Sequence, residues 1–350
     1  MSGTAQRPAS NVDAVDEAQA RTSRRALLAA KLASSTTVYL AVALVALFLI
    51  FALARPDAFL SAFNVRSLVT DASVLLILAV GATFVIATAG IDLSVGAVLV
   101  FSGVVSLQTM QLLGGEGWGV VVAGLVVAVV AGAGWGLLNG FLIARLRVPA
   151  LIATLGTLGM AMGLSQVMTG GNDLGGVPDE LADGIGSGRM FGVVPWLVVI
   201  AAIVTLAGAF FLSRTRFGRH TLAIGSNPEA SRRSGVHVAR HLMRVYALAG
   251  LLAGVAGFLS LARFNSTTIA GHATDNLQAI TAVVLGGTSL FGGVGTMLGT
   301  VIGVFIPAVL QNGFIILQVQ PYWQQVAIGA VLIIAVILDQ AKRRARNRGA

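Results

Sequence analysis

Apolar residues in this chain come in long unbroken runs, and polar residues gather between the runs and at the two ends. A helix crossing the hydrocarbon core needs about 20 mainly apolar residues, with a range of roughly 17 to 25. Runs of that length predict spans at 38–54, 72–91, 93–113, 118–143, 148–168, 192–212, 244–262, 274–291, 295–317 and 322–338. The fold class that follows is all-α: a polytopic membrane protein with about ten transmembrane helices. Glycine interrupts the pattern at 90–96 and 285–299, which predicts broken or re-entrant stretches there in place of simple loops.

Polar stretches divide the chain into a polar tail at 1–34, a transmembrane domain at 35–340 and a basic tail at 341–350. The apolar run from Val38 is longer than the roughly 7 to 15 residues of a secretory signal core, so the first run is expected to stay in the protein. Positive residues near span ends favour the cytoplasm. With ten spans and the amino terminus inside, nineteen of the 23 basic residues fall on inside segments; only Arg55, Arg66, Arg189 and Arg263 fall outside. The outside segments collect Asp57, Asp71, Glu116, Asp173, Asp179, Glu180, Asp183 and Asp275. Parity and charge together predict that both termini are cytoplasmic.

Composition removes several classes of function. Hydrophobic residues make up 56% and charged residues 11%, where a soluble domain carries about a quarter charged residues. A net charge of +9 does not mark a nucleic-acid surface, because the basic residues sit between apolar runs where orientation signals belong. No cysteine is present, and His220, His237, His241 and His272 lack metal-ligand spacing. A phosphate-binding GxxxxGK[ST] loop needs lysine after glycine, but Lys31 and Lys342 each follow alanine, so this chain has no ATPase site of that kind. Transport by this chain is then passive, ion-coupled or driven by a partner. Asp92 is the candidate ion site, with a second reading as a carboxylate stabilised at a helix amino terminus.

Residues 213–244 interrupt the oily pattern with seven arginines and one acid, Glu229. Ser226-Asn227-Pro228-Glu229 reads as a helix start in two registers: Ser226 as cap with Glu229 closing a capping box, or Asn227 as cap with Pro228 in the first helical position. Gly235 is the expected stop. A helix of about two turns is too short to stand alone in water, so it must lean on something. Arg232 and Arg233 lie in its last turn, where positive charge suits the helix dipole and is placed to pair with acids of a partner.

Four stretches carry a family resemblance: TAGIDLSVGAVLVFSGVV (88–105), VPALIATLGTLGMAMG (148–163), GRHTLAIGSNPEASRRSGV (218–236) and AVVLGGTSLFGGVGTMLGTVIG (282–303). With them the chain, over 35–340, resembles the permease subunits of bacterial ABC importers, in particular the branch serving ribose, xylose, arabinose and galactose. The resemblance implies an ABC importer permease fold in the bacterial plasma (inner) membrane. It also implies a second permease chain, expected to be an identical copy, an ATP-binding cassette ATPase subunit holding ATP and Mg, and an extracytoplasmic sugar-binding protein. This chain itself would need no cofactor and do no covalent chemistry, with membrane lipid around it.

By the same resemblance, Gly225, Ser226, Asn227, Pro228, Glu229, Ala230, Arg232, Arg233 and Gly235 form the segment that contacts the ATPase. Glu229, Ala230 and Gly235 match the front of a Glu-Ala-Ala-x-x-x-Gly signature, with Ser231 departing at its third position. For the translocation path the candidates are the break residues Thr88, Gly90, Asp92, Ser94 and Gly96, together with Asn139, Thr154, Thr157 and Asn265 as hydroxyl partners. Ser and Thr in membrane helices commonly bond their own backbone, which is the competing account of these residues. Gly132, Gly134 and Gly136 are expected at helix-packing positions. The acidic segment 169–192 is a candidate docking face for the binding protein.

Overall fold

The computed structural model describes residues 36–272 and 274–348. The expectations for the tail at 1–34 and for residues 349–350 lie outside the described residues. The chain opens with α1 (Thr36–Ala54) and the one-turn α2 (Pro56–Phe59). Phe59 of that turn is buried against Phe48 and Phe51, at ring-centroid distances of 5.0 and 5.8 Å.

Among the described residues, seven helices are long and apolar enough to cross a membrane. They are α3 (Ala62–Ala87), α4 (Val95–Leu112), α5 (Trp118–Ala144), α6 (Ala150–Thr169), α8 (Trp196–Arg214), α11 (Val238–Phe264) and α13 (Met297–Ile316). Between them lie the short α7 (Asp179–Leu181), α9 (Arg216–Ser226), α10 (Pro228–Arg233) and α12 (Asp275–Leu285), and α14 (Pro321–Arg348) closes the chain. A two-residue hairpin, β1 (Arg189–Met190) and β2 (Val194–Pro195), precedes α8.

Several boundaries differ from the expected spans. α3 begins ten residues before position 72, because Ser61 caps it by accepting from the Asn64 amide at 3.2 Å. Helix there continues through Asn64, Arg66 and Asp71, which dilute the apolar signal. α11 likewise starts ahead of 244 and takes in His241 and Arg244. The expected span at 274–291 is corrected. Helix α12 has only 11 residues, about 16 Å at 1.5 Å per residue, against a hydrocarbon core of about 30 Å. Positive-φ glycines Gly287, Gly292 and Gly293 follow it, so the chain turns back where a span was expected to continue. α14 carries helix on through 341–348.

Burial separates the centre of the bundle from its exposed rim. In α3, 89% of the most apolar window is buried, against 22% in α8 and 28% in α6. The most extensive seam joins α5 to α11. Gly132, Gly136 and Gly140 recur every four residues, and a Cβ on any of them would meet the backbone of Gly250–Gly254, Tyr246–Ala247 or Met243. Small residues at this spacing let two membrane helices touch backbone to backbone. Gly134, on the same helix, faces open space and makes no such contact.

Candidate functional site

Both interruptions foreseen from glycine are present, and they meet. α3 stops at Ala87, and the link 88–94 runs without helix to the start of α4. Ala89 takes a positive φ of 62°, which turns the link away from the helix axis. The second break follows α12, and there the Gly293 amide donates to the Ala87 carbonyl at 3.0 Å. The two breaks are thus joined backbone to backbone.

Polar side chains fix the first link. Asp92 Oδ1 accepts from the Ser94 amide at 2.9 Å and from the Ser94 hydroxyl at 2.6 Å. Asn139 Nδ2 on α5 donates to Ser94 Oγ at 2.8 Å, and Thr157 Oγ1 on α6 donates to Asn139 Oδ1 at 2.7 Å. Four expected path residues therefore form one continuous buried chain across three elements. Tyr246 Oη donates to the Ile91 carbonyl at 3.2 Å, and Asn276 Nδ2 donates to the Leu93 carbonyl at 2.9 Å. A buried network with its partners supplied holds one geometry, because each unpaired member would pay its desolvation cost.

The other path candidates have local roles. Thr88 and Thr154 donate to the Val85 and Ala150 carbonyls, the back-bonding anticipated for membrane hydroxyls. Gly90 packs beneath the Tyr246 hydroxyl, and Gly96 packs beneath His272 and Asn276 at the start of α12. Asn265 is not brought to this network. It is exposed and ends α11 in the left-handed conformation, with φ 55°.

The segment 213–244 contains more helix than the sequence suggested. α9 was not foreseen, because only Gly218, Thr221, Ile224 and Gly225 are buried and Arg216, Arg219 and His220 interrupt its apolar positions. Its amphipathic spacing was the available signal. Thr215 caps it, accepting from the Gly218 amide at 3.4 Å. Thr221 Oγ1 and His241 Nε2 lie 2.8 Å apart, and the Phe217 ring lies 4.7 Å from the His241 ring.

Of the two registers for the next helix, the structure takes Asn227 and corrects the alternative with Ser226 as cap. Ser226 is the last residue of α9, whereas Asn227 Oδ1 accepts from the Ala230 amide at 2.9 Å with Pro228 in the first turn. Glu229 makes no capping box; it pairs with Arg232 and Arg233 at 3.6 and 3.5 Å on an exposed face. Gly235, with φ 84°, ends α10 as expected. The Val236 amide reaches the Ser231 carbonyl and the Gly235 amide reaches that of Arg232, both at 3.0 Å, a complete Schellman closure. Ser231, where the signature has alanine, is buried and donates to the Asn227 carbonyl at 2.9 Å.

This segment bears directly on the breaks. A Cβ on Gly225 would collide with the Ala87 carbonyl and approach the Gly293 amide to 2.5 Å. A Cβ on Gly292 would come within 2.7 Å of the Ala89 amide and 2.8 Å of Gly225 Cα, and one on Gly293 would strike the Ser226 hydroxyl. The α9–α10 junction therefore rests on both interrupted spans. In the acidic segment, two of the four acids are engaged: Asp173 accepts from the Ile269 amide at 2.6 Å and Glu180 from the Gly117 amide at 2.9 Å.

A family model described as the branched-chain amino acid transport system / permease component matches residues 64–336. The chain is similar to the ribose import permease protein of Escherichia coli, 39% identical over 308 residues, covering 86% of this chain and 93% of that protein. It is also similar to the galactose/methyl galactoside import permease protein of Haemophilus influenzae, 36% identical, covering 83% of this chain and 90% of that protein. The fructose import permease protein of Rhizobium meliloti is 35% identical, covering 82% of this chain and 80% of that protein. No solved structure matches the chain.

Proposed function

The chain belongs to the permease family described as the branched-chain amino acid transport system / permease component, and from that premise we propose that it carries a monosaccharide through an ATP-driven importer. Its relatives named for ribose, galactose and fructose support the sugar class. It is the multi-pass membrane subunit, and hydrolysis belongs to a separate ATPase subunit. About ten segments cross the membrane, one of them as the half-helix α12 with the non-helical stretch ahead of it, and both termini are cytoplasmic. A second identical chain completes the path, and an extracytoplasmic binding protein delivers the sugar to a face that includes the acidic segment 169–192.

One observation carries the mechanism: the α9–α10 junction is seated on both span breaks, with Gly225 against Ala87 and Gly292, and Ser226 against Gly293. Glu229, Ala230, Arg232 and Arg233 occupy α10, whose capped ends make it a rigid element despite its six residues. Closure of the ATPase around ATP would push on α10, and the junction transmits that push to the ends of α3 and α12. Ser94, Asn139 and Thr157 hold the link to α5 and α6, so the link and those helices move as one body.

Nucleotide dependence of uptake tests this reading. The chain is purified with its co-purifying ATPase, reconstituted with the binding protein, and assayed for ribose, galactose and fructose uptake with and without ATP. ATP-dependent sugar uptake is expected. Uptake by the lone chain without nucleotide would overturn the proposal and return Asp92 to the position of a candidate ion site.

A further inference from the structure

A cavity of about 270 Å³ opens among α3, α11, α12 and α13. It meets α3 at Leu68 to Leu75, whereas the coupling segment meets α3 at Ala87. Leu75 and Ala87 are about 18 Å apart along a helix rising 1.5 Å per residue. The cavity thus lies toward the end of the bundle away from α9 and α10, and none of the path candidates at 88–96 lines it.

We infer that this cavity is a waypoint for a neutral polyhydroxylated solute of monosaccharide size, with Gln278 and Gln311 as its hydroxyl partners. The inference rests on the importer reading above. Its basis is the way the charges in the wall are already spent. Asp71 accepts from Arg263 Nε at 2.7 Å. His272 Nδ1 donates to Asp275 at 2.7 Å, while its Nε2 pairs with the Ser260 hydroxyl at 2.6 Å. Asn312 and Asn64 exchange amide hydrogen bonds at 3.0 and 2.8 Å. A charged solute entering here would find the ionic groups already paired.

Two amides are left over. Gln278 uses its Nε2 on Thr274 Oγ1 at 3.2 Å, which leaves its carbonyl oxygen for a donor. The Gln311 side chain has no hydrogen-bond partner among the described residues. An amide offers both donor and acceptor, matching hydroxyls that are both. Phe264 adds an apolar face for the C–H side of a sugar ring. The volume falls just below the roughly 300–1,000 Å³ of sites for drug-sized ligands, a fit for a smaller solute. Independently, the short helix α12 begins at this cavity with Asp275 in its first turn, and interrupted membrane helices characteristically begin at transporter substrate sites.

Because the chain contains no cysteine, each single-cysteine variant carries one thiol of its own, and labelling is read on this chain after separation from its partners. In the complete reconstituted importer, Gln278→Cys and Gln311→Cys are labelled with a methanethiosulfonate reagent, and Val193→Cys on the exposed hairpin is labelled alongside. Modification at 278 or 311 is expected to abolish ATP-dependent sugar uptake, and excess D-ribose, D-galactose or D-fructose to slow labelling there but not at 193. Gln311→Leu is expected to slow uptake roughly fivefold, the loss of one hydrogen bond. If both modified cysteine variants and Gln311→Leu transport at the unmodified rate, the cavity is not on the path, although the importer reading stands. If the unaltered importer takes up L-leucine and no sugar, the cargo reading fails, and the waypoint fails with it before any variant is made.

Discussion

Gly225, in the last turn of α9, lies so close to the carbonyl of Ala87, the last residue of α3, that no β-carbon fits between them. The same carbonyl accepts from the Gly293 amide at 3.0 Å. Ala87 is therefore the point where α9 and both span breaks converge, and a small movement of α9 reaches each break without an intervening side chain.

Gly225→Ala should be costly out of proportion to one methyl group. Overpacking of this kind costs about 1–3 kcal/mol, and the colliding atoms are backbone, which cannot swing aside. A lower thermal unfolding midpoint and reduced uptake are expected together, measured on the detergent-purified chain and in proteoliposomes. Unchanged stability and uptake would mean that the junction is looser than its geometry implies.

Asn227→Ala removes the side-chain acceptor for the Ala230 amide and should cost about 1 kcal/mol in α10, whereas Asn227→Asp should retain the cap. Faster amide exchange across 229–236 checks the alanine variant. Gly235→Ala strains the same helix from its other end, since a φ of 84° is left-handed, a conformation costing an L-residue about 1–2 kcal/mol. Both alanine variants should lower the sugar moved per ATP hydrolysed.

Glu229→Arg separates docking from folding. Its pairs with Arg232 and Arg233 are exposed, and such pairs are worth about 0–1 kcal/mol, so the unfolding midpoint should barely move. Recovery of the ATPase with the chain on an affinity column should fall sharply. Intact co-purification with the reversed charge would place the docking contact elsewhere.

Asn139→Leu should destabilise the bundle by about 1–3 kcal/mol, because it removes two buried hydrogen bonds, to the Ser94 hydroxyl and from the Thr157 hydroxyl. Asp92→Asn keeps an oxygen that can accept from Ser94, so it should preserve the fold and ATP-dependent uptake. If Asp92→Asn instead abolishes uptake driven by an imposed proton gradient, Asp92 is an ion site.

The glycines announced both breaks, since runs such as Gly286-Gly287 and Gly292-Gly293 cannot continue an apolar helix cheaply. Asn227 and Gly235 likewise announced α10, because capping is local chemistry between residues a few positions apart. α9 was not legible, since its four buried positions are small or sparse among arginines. The bond from Asn139 to Ser94 was not legible either, joining residues 45 positions apart in sequence.

Length and polarity of the apolar runs determined the membrane class, the absence of a phosphate-binding loop left transport passive, ion-coupled or driven by a partner, and local turn chemistry determined where the short helix α10 begins and ends. All of these are set by neighbours along the chain. The folded arrangement alone decided that the expected span at 274–291 is a half-helix, that four of the path candidates close into one buried hydrogen-bonded chain, and that the polar cavity lies beside Gln278 and Gln311. These depend on which distant backbones can approach, and in this chain the approach is set by pairs such as Gly225 with Ala87 and Gly132 with Gly250, whose fit no run of adjacent residues encodes.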